Sequence, residues 1–233
     1  DVLNIHWYPE PDGVSSSSTT REVVQRRVQA VRSLWDSTYV EDSWIGEWFS
    51  PVAILRQVQS SINEYYPNTK LGVTEYDYGG IEHISGAVAQ ADALGVFGKY
   101  GVYFASRWDE IDSYNQKAFE IFRNYDGLGS QFPDRSVFSE TADIENTSVY
   151  SAENADGSKL HLVLINKNLD NPVNMQIEID DPAAYTNAEV WGLTSSGPQI
   201  NYVNEITLSG NNSFAIIMPA LSVYHTVINK NST

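Results

Sequence analysis

Three times in its first 125 residues this chain follows a short apolar strand with helical sequence, and beyond about residue 130 the helical pattern stops. Strands are expected at residues 2–8, 70–74 and 102–106. Helical sequence fills the gaps and follows the last strand, at residues 84–99 and 113–125 among others. Strands separated by helices run parallel, with right-handed crossovers. After about residue 130 seven short strands are expected instead, near residues 149–150, 160–166, 173–179, 188–193, 206–208, 213–217 and 223–228. Asp156-Gly157, Asn171-Pro172, Gly197-Pro198 and Gly210-Asn211 punctuate them. That second grammar describes an all-β sandwich.

Local signals set the expected boundaries. Thr19-Thr20-Arg21-Glu22 has the form of a capping box, and Val24, Val28, Val31 and Trp35 follow at helical spacing. Ser50-Pro51 reads as an N-cap followed by proline at the first helical position, with Leu55, Val58, Ile62 and Tyr65 on the buried side. Gly101 and Gly127 stand where helices stop. Residues 36–50 read as a loop carrying Trp44, Glu47, Trp48 and Phe49.

Three βα units cannot close a TIM-type α/β barrel, which needs eight strands. Left alone, three parallel strands expose two edges and an apolar face. Asp1 also opens directly onto strand-forming sequence, with no lead-in turn. The expectation is therefore the last three units (β6–β8) of a (β/α)8 barrel over residues 1–130, followed by a β-sandwich over residues 131–233.

The second of those strands carries the chemistry. Leu71-Gly-Val-Thr-Glu75-Tyr-Asp-Tyr-Gly-Gly80 delivers a lone carboxylate to the carboxyl end of a parallel strand, where α/β barrels keep their catalytic groups. Tyr76 and Tyr78 offer flat apolar faces with hydroxyl handles, suited to a sugar ring. Bulk properties narrow the partners. A net charge of −16 repels nucleic acid and anionic lipid while leaving a neutral polymer indifferent. With no cysteine there are no disulfides and no thiolate metal sites. His6, His83, His161 and His225 lack zinc-ligand spacing. No apolar run reaches membrane-spanning length. Asp- and Asn-rich loops admit a structural calcium ion, yet none has ligand spacing. Asn146, Asn211 and Asn231 begin N-glycosylation triplets.

His6-Trp7-Tyr8-Pro9 at one strand end, Thr74-Glu75-Tyr76-Asp77-Tyr78-Gly79-Gly80 at the next and Trp108 after the third resemble glycoside hydrolase family 44. The resemblance spans the chain but only the C-terminal half of a family member. It implies a secreted, extracellular, retaining endo-β-1,4-glucanase acting on cellulose-like or xyloglucan-type glucans, with no cofactor. Glu75 would be the nucleophile. Tyr8 would hydrogen-bond it, and His6 would bond a sugar hydroxyl. Trp7, Trp44, Trp48 and Trp108 would complete the substrate-binding set with Tyr76 and Tyr78. Asp77 departs from the family pattern, which has Asn there. As an extra carboxylate it would raise the nucleophile's pKa, unless it points away from the cleft.

Retention needs a second carboxyl group about 5–5.5 Å from the first. The family places it on a strand this chain lacks, and Glu10, Glu47, Asp109 and Glu110 do not follow the Asn that precedes it there. The acid/base is therefore expected on an N-terminal fragment that completes the barrel. Two other readings remain: a non-catalytic carbohydrate-binding protein, and a xylanase or other clan-related glycosidase.

Overall fold

Alternating apolar strands and amphipathic helices give the first unit its layers. A computed structural model describes residues 1–208, 210 and 212–231, in two compact units, Asp1–Asn115 and Gln116–Thr233. In the first, β1 (Val2–Trp7), β2 (Lys70–Tyr76) and β3 (Phe104–Arg107) form one parallel sheet in sequence order. Helices α1 (Arg21–Ala30, extended by a 3-10 turn at Val31–Leu34), α2 (Trp44–Phe49), α3 (Ile54–Tyr65) and α4 (Ile84–Lys99) connect them. Helix α4 is apolar nearly all round and buried along most of its length, packing against α1. Leu71 and Val73 of β2 are buried in this unit, as are Val28, Leu34, Leu55 and Val88 of its helices. The outer strands are covered less: Val2, Leu3, Tyr103 and Phe104 are all exposed.

Two expected caps are corrected. Thr20 occupies the N-cap of α1 without a side-chain hydrogen bond, so the capping box does not form. Helix α3 begins at Ile54 rather than after Ser50, because Ala53 takes a left-handed φ of 41° and becomes the N-cap. The Ser50 hydroxyl is instead directed at the Tyr39 carbonyl. The expected loop at residues 36–50 contains α2, whose N-cap Ser43 accepts from the Ile45 amide.

The change of grammar lies near residues 129–136, whereas the structural division falls at Asn115/Gln116. Most of α5 (Ser113–Arg123) therefore packs with the second unit. There, β4 (Arg135–Val137), β5 (Thr147–Glu153), β6 (Lys159–Asn166), β11 (Ser222–Lys230), β8 (Tyr185–Thr194) and β9 (Gly197–Thr207) make a six-stranded sheet in that order. Strands β7 (Val173–Glu178) and β10 (Ser213–Met218) pair separately, and all pairings are antiparallel. Leu160, Leu162 and Leu164 of β6 share one core with Met175, Phe214, Ile216 and Met218 of the small sheet, so the two sheets form a sandwich. Sequence patterning misses β4 and most of β9, whose side chains are largely exposed and polar. The triplets at Asn211 and Asn231, and the Gly210-Asn211 turn, include residues outside those described.

Candidate active site

A one-residue bulge decides which side chains of β2 lie on the open face of the sheet. In the β1–β2 register Ile5 pairs with Val73 but His6 pairs with Glu75, so β2 holds an extra residue, Thr74. A slip of one residue exchanges the faces of a strand. Without it, Glu75 would share the face of Leu71 and Val73, which lies in the core. With it, Glu75 joins His6 on the open face while Tyr76 joins Trp7 among the helices. The Thr74 hydroxyl at the bulge donates to Asn4 Oδ1 at 3.2 Å.

Glu75 is then held from β1. The Tyr8 hydroxyl donates to Glu75 Oε2 at 3.0 Å, and His6 Nδ1 lies 3.3 Å from the same oxygen. The carboxylate's side chain keeps 31% of its surface exposed, enough to meet a ligand. Tyr8 is pushed up to about 12 by burial, by its hydrogen bond to Glu75 and by the negative charges of Glu75 and Asp77. It therefore stays a donor at every physiological pH.

Trp44, Trp48 and Trp108 are 56%, 76% and 58% exposed, as stacking residues must be. Helix α2 carries the first two, with Trp44 edge-on to Phe49. Its seat is close: a Cβ on Gly46 would lie 1.7 Å from the Glu41 carbonyl oxygen. The buried Glu41 carboxylate accepts from the Glu10 amide at 2.9 Å and the Ser43 hydroxyl at 2.7 Å, tying α2 to the loop after β1. Trp108 follows β3, and its amide donates to the Tyr76 carbonyl at 2.9 Å.

Three expected sugar contacts are corrected. Tyr76 and Tyr78 are 0% and 1% exposed. The Tyr76 hydroxyl accepts from Gln90 Nε2 at 2.7 Å, and its ring packs edge-on to Phe97. Trp7 is buried, with Nε1 donating to the Ser33 hydroxyl at 3.1 Å. All three are core residues, and the bulge in β2 is what turns Tyr76 inward beside Trp7.

Two buried arginines, which sequence reading missed, organise the strand ends. Arg27, fully buried, donates to the carbonyls of Val14, Ser16, Ser18 and Tyr78 and to the Ser85 hydroxyl. It joins the loops after β1 and β2 to the start of α4. Burial pulls it down to about 10. Arg107 donates to Asp77 Oδ1 at 2.6 Å and to the Glu110 carbonyl at 2.6 Å. Burial raises the Asp77 carboxyl above its ordinary value, against the opposing pull of Arg107 and of the Gly79 and Tyr78 amides. Asp77 is thus engaged in a buried ion pair. The only sequence cue to either arginine was basic residues beside a helix and a strand end, a common arrangement. Of the unassigned carboxylates, Glu10, Glu47, Asp109 and Glu110 are exposed. Among the described residues no group of three or more His, Cys, Asp or Glu is arranged to hold a metal ion.

A carboxylate held by a tyrosine at a parallel strand end is one of the two carboxyl groups that a glycoside hydrolase needs. A scan against protein-family models matches none. Endoglucanase A of Paenibacillus lautus is 46% identical over 242 residues, covering 100% of this chain and 35% of that protein. A crystal structure of a glycoside hydrolase family 44 endoglucanase from Clostridium acetobutylium superposes with a TM-score of 0.95 at 44% identity, covering 98% of this chain and 47% of the other. The family 44 xyloglucanase of Paenibacillus polymyxa gives 0.95 at 40% identity, covering 99% and 47%. The chain belongs to glycoside hydrolase family 44, and it spans about half the length or less of these relatives.

Proposed function

We propose that this chain is the nucleophile-bearing part of a secreted, retaining endo-β-1,4-glucanase acting on cellulose-like or xyloglucan-type glucans. One observation carries the reading: Glu75, turned to the open face of the sheet by a bulge, is oriented by Tyr8 and His6 without being buried. Its carboxylate oxygen attacks the anomeric carbon, and the glycosidic bond breaks as the second carboxyl group protonates the leaving oxygen. Water then releases the glycosyl ester. Trp44, Trp48 and Trp108 give the glucan rings apolar faces to stack on. The three-stranded sheet β1–β3 is read as the last three strands of an eight-stranded barrel. A segment N-terminal to this chain supplies the other strands and the acid/base. The exposed apolar residues on β1 and β3 support that reading. Since a polymeric glucan stays outside the cell, so does the enzyme.

A reagent that needs no acid catalyst isolates the nucleophile. With 2,4-dinitrophenyl 2-deoxy-2-fluoro-β-cellobioside, the Glu75 carboxylate forms an ester at C1 while dinitrophenolate departs with the bonding electron pair. In the protein carrying the N-terminal segment, peptide mapping should find the label on Glu75 alone, and none in Glu75→Gln. Label on another carboxylate, or full cellulase activity in Glu75→Gln, sinks the proposal.

A further inference from the structure

The carboxylate two residues beyond Glu75 has a partner from the next strand. Asp77 and Arg107 form an ion pair at 2.6 Å, with side chains 7% and 1% exposed. Arg107 stands opposite Tyr76 in the β2–β3 register, so the pair joins the strand end that bears Glu75 to the one that bears Trp108. Each partner is held further. Asp77 accepts from the Tyr78 and Gly79 amides, and Gly79 turns there at φ 61°. Arg107 also donates to the Glu110 carbonyl. The Asn115 amide, in the orientation that satisfies both its ends, accepts from Arg107 Nη2 at 2.9 Å and donates to the Gly86 carbonyl at 3.2 Å. Sheet edge, turn and the first part of α4 therefore meet in one buried polar assembly.

We infer that Asp77 and Arg107 act as a positioning pair for Glu75: their bond sets the distance between nucleophile and Trp108, and their opposite charges cancel beside the nucleophile. The inference rests on the proposed role of Glu75. A buried ion pair is a weak source of net stability, because desolvation offsets attraction, so its retention here needs another account. Unpaired, either charge would displace the ionisation of Glu75. Among the charged and titratable groups, His6 and Tyr8 from β1 contact Glu75, and Asp77, two residues beyond it, interacts with Arg107 and Asp109 at the end of β3. Arg27 of α1 lies behind Asp77 and interacts with its charge.

Asp77→Asn preserves shape and removes one charge, leaving the Arg107 cation uncancelled. The ionisation midpoint of Glu75, read directly from its carboxyl-carbon NMR shift, should fall by roughly 0.5–1 pH unit. The pH midpoint of fluorosugar labelling should fall with it. Adding Arg107→Gln should return the midpoint toward that of the parent. Arg107→Lys, which keeps the charge but cannot reproduce the forked geometry, should slow labelling about 10-fold with the midpoint in place. A midpoint unchanged in Asp77→Asn overturns the inference, whichever variants fold. Because NMR reads Glu75 without catalysis, a midpoint that falls as expected in Asp77→Asn while the parent takes no label at Glu75 would overturn the proposed function and leave only the charge cancellation standing.

Discussion

At the scale of single residues, the Tyr8 hydroxyl is the side chain most directly coupled to Glu75. Its raised pKa means that it donates, and never competes as an anion. Hydrogen bonds to charged groups are worth about 1.5–3 kcal/mol. Tyr8→Phe should therefore lower kcat about 10- to 100-fold while the melting temperature stays within about 2 °C. A variant with full kcat would remove Tyr8 from the site. Trp48 is a complementary case, because its 76% exposure means it supports little of the fold. Trp48→Ala should weaken cello-oligosaccharide binding about 10-fold by calorimetry without changing stability. An unchanged affinity would exclude Trp48 from the platform.

At the scale of elements, the aromatic platform stands on a glycine. The backbone of α2 lies so close to Glu41 that any side chain at residue 46 meets a carbonyl oxygen at 1.7 Å. Gly46→Ala should lower the melting temperature by about 5 °C or more and shift tryptophan fluorescence as α2 leaves its seat. The mirror-image argument applies to Arg27, whose guanidinium saturates backbone carbonyls from two loops. Arg27→Met should leave those acceptors unpaired and cost on the order of 3–5 kcal/mol in urea unfolding. A loss below about 1 kcal/mol would show that water replaces the arginine. Gly79 and Gly80 share this site. Both turn at positive φ, and a Cβ on Gly80 would meet the Arg27 guanidinium at 2.9 Å.

At the scale of the whole molecule, the largest histidine contribution to acid stability lies inside the second unit. His225 Nδ1 lies 2.7 Å from the Ile121 carbonyl, which only accepts, so that nitrogen carries hydrogen. His225 Nε2 is then the acceptor for His161 Nδ1–H at 3.0 Å, and the Tyr125 ring stacks on His225 at 3.7 Å. Burial pulls His161 down to about 4 and His225 to about 3, the latter also through His161. Both folded values lie below the ordinary 6.5, so the unfolded chain binds more protons in that window. The stabilisation is complete above pH 6.5 and is lost progressively as pH falls toward 3–4. Urea unfolding of the second unit at pH 4.5 should show on the order of 3 kcal/mol less stability than at pH 7.5. His225→Gln should flatten that dependence, and an unaltered slope would assign it to carboxylates instead.

The succession of three strand–helix units and then strands alone was legible along the chain, because periods of 3.6 and 2 are local properties of sequence. So was the arrival of Glu75 at a strand end, since strand propensity, glycine pair and helix pattern lie within a dozen residues. The division at Asn115 was not legible, because α5 packs according to partners far along the chain. Nor was the inward turn of Tyr76. That followed from one extra residue in β2, which only pairing with β1 reveals. The Asp77–Arg107 pair likewise joins residues thirty positions apart, through a sheet edge that exists only once the strands assemble. Local chemistry thus determined which carboxylate stands at the strand end. Tertiary register decided which way it faces and what surrounds it, because a side chain's face depends on its neighbour strand as well as its own.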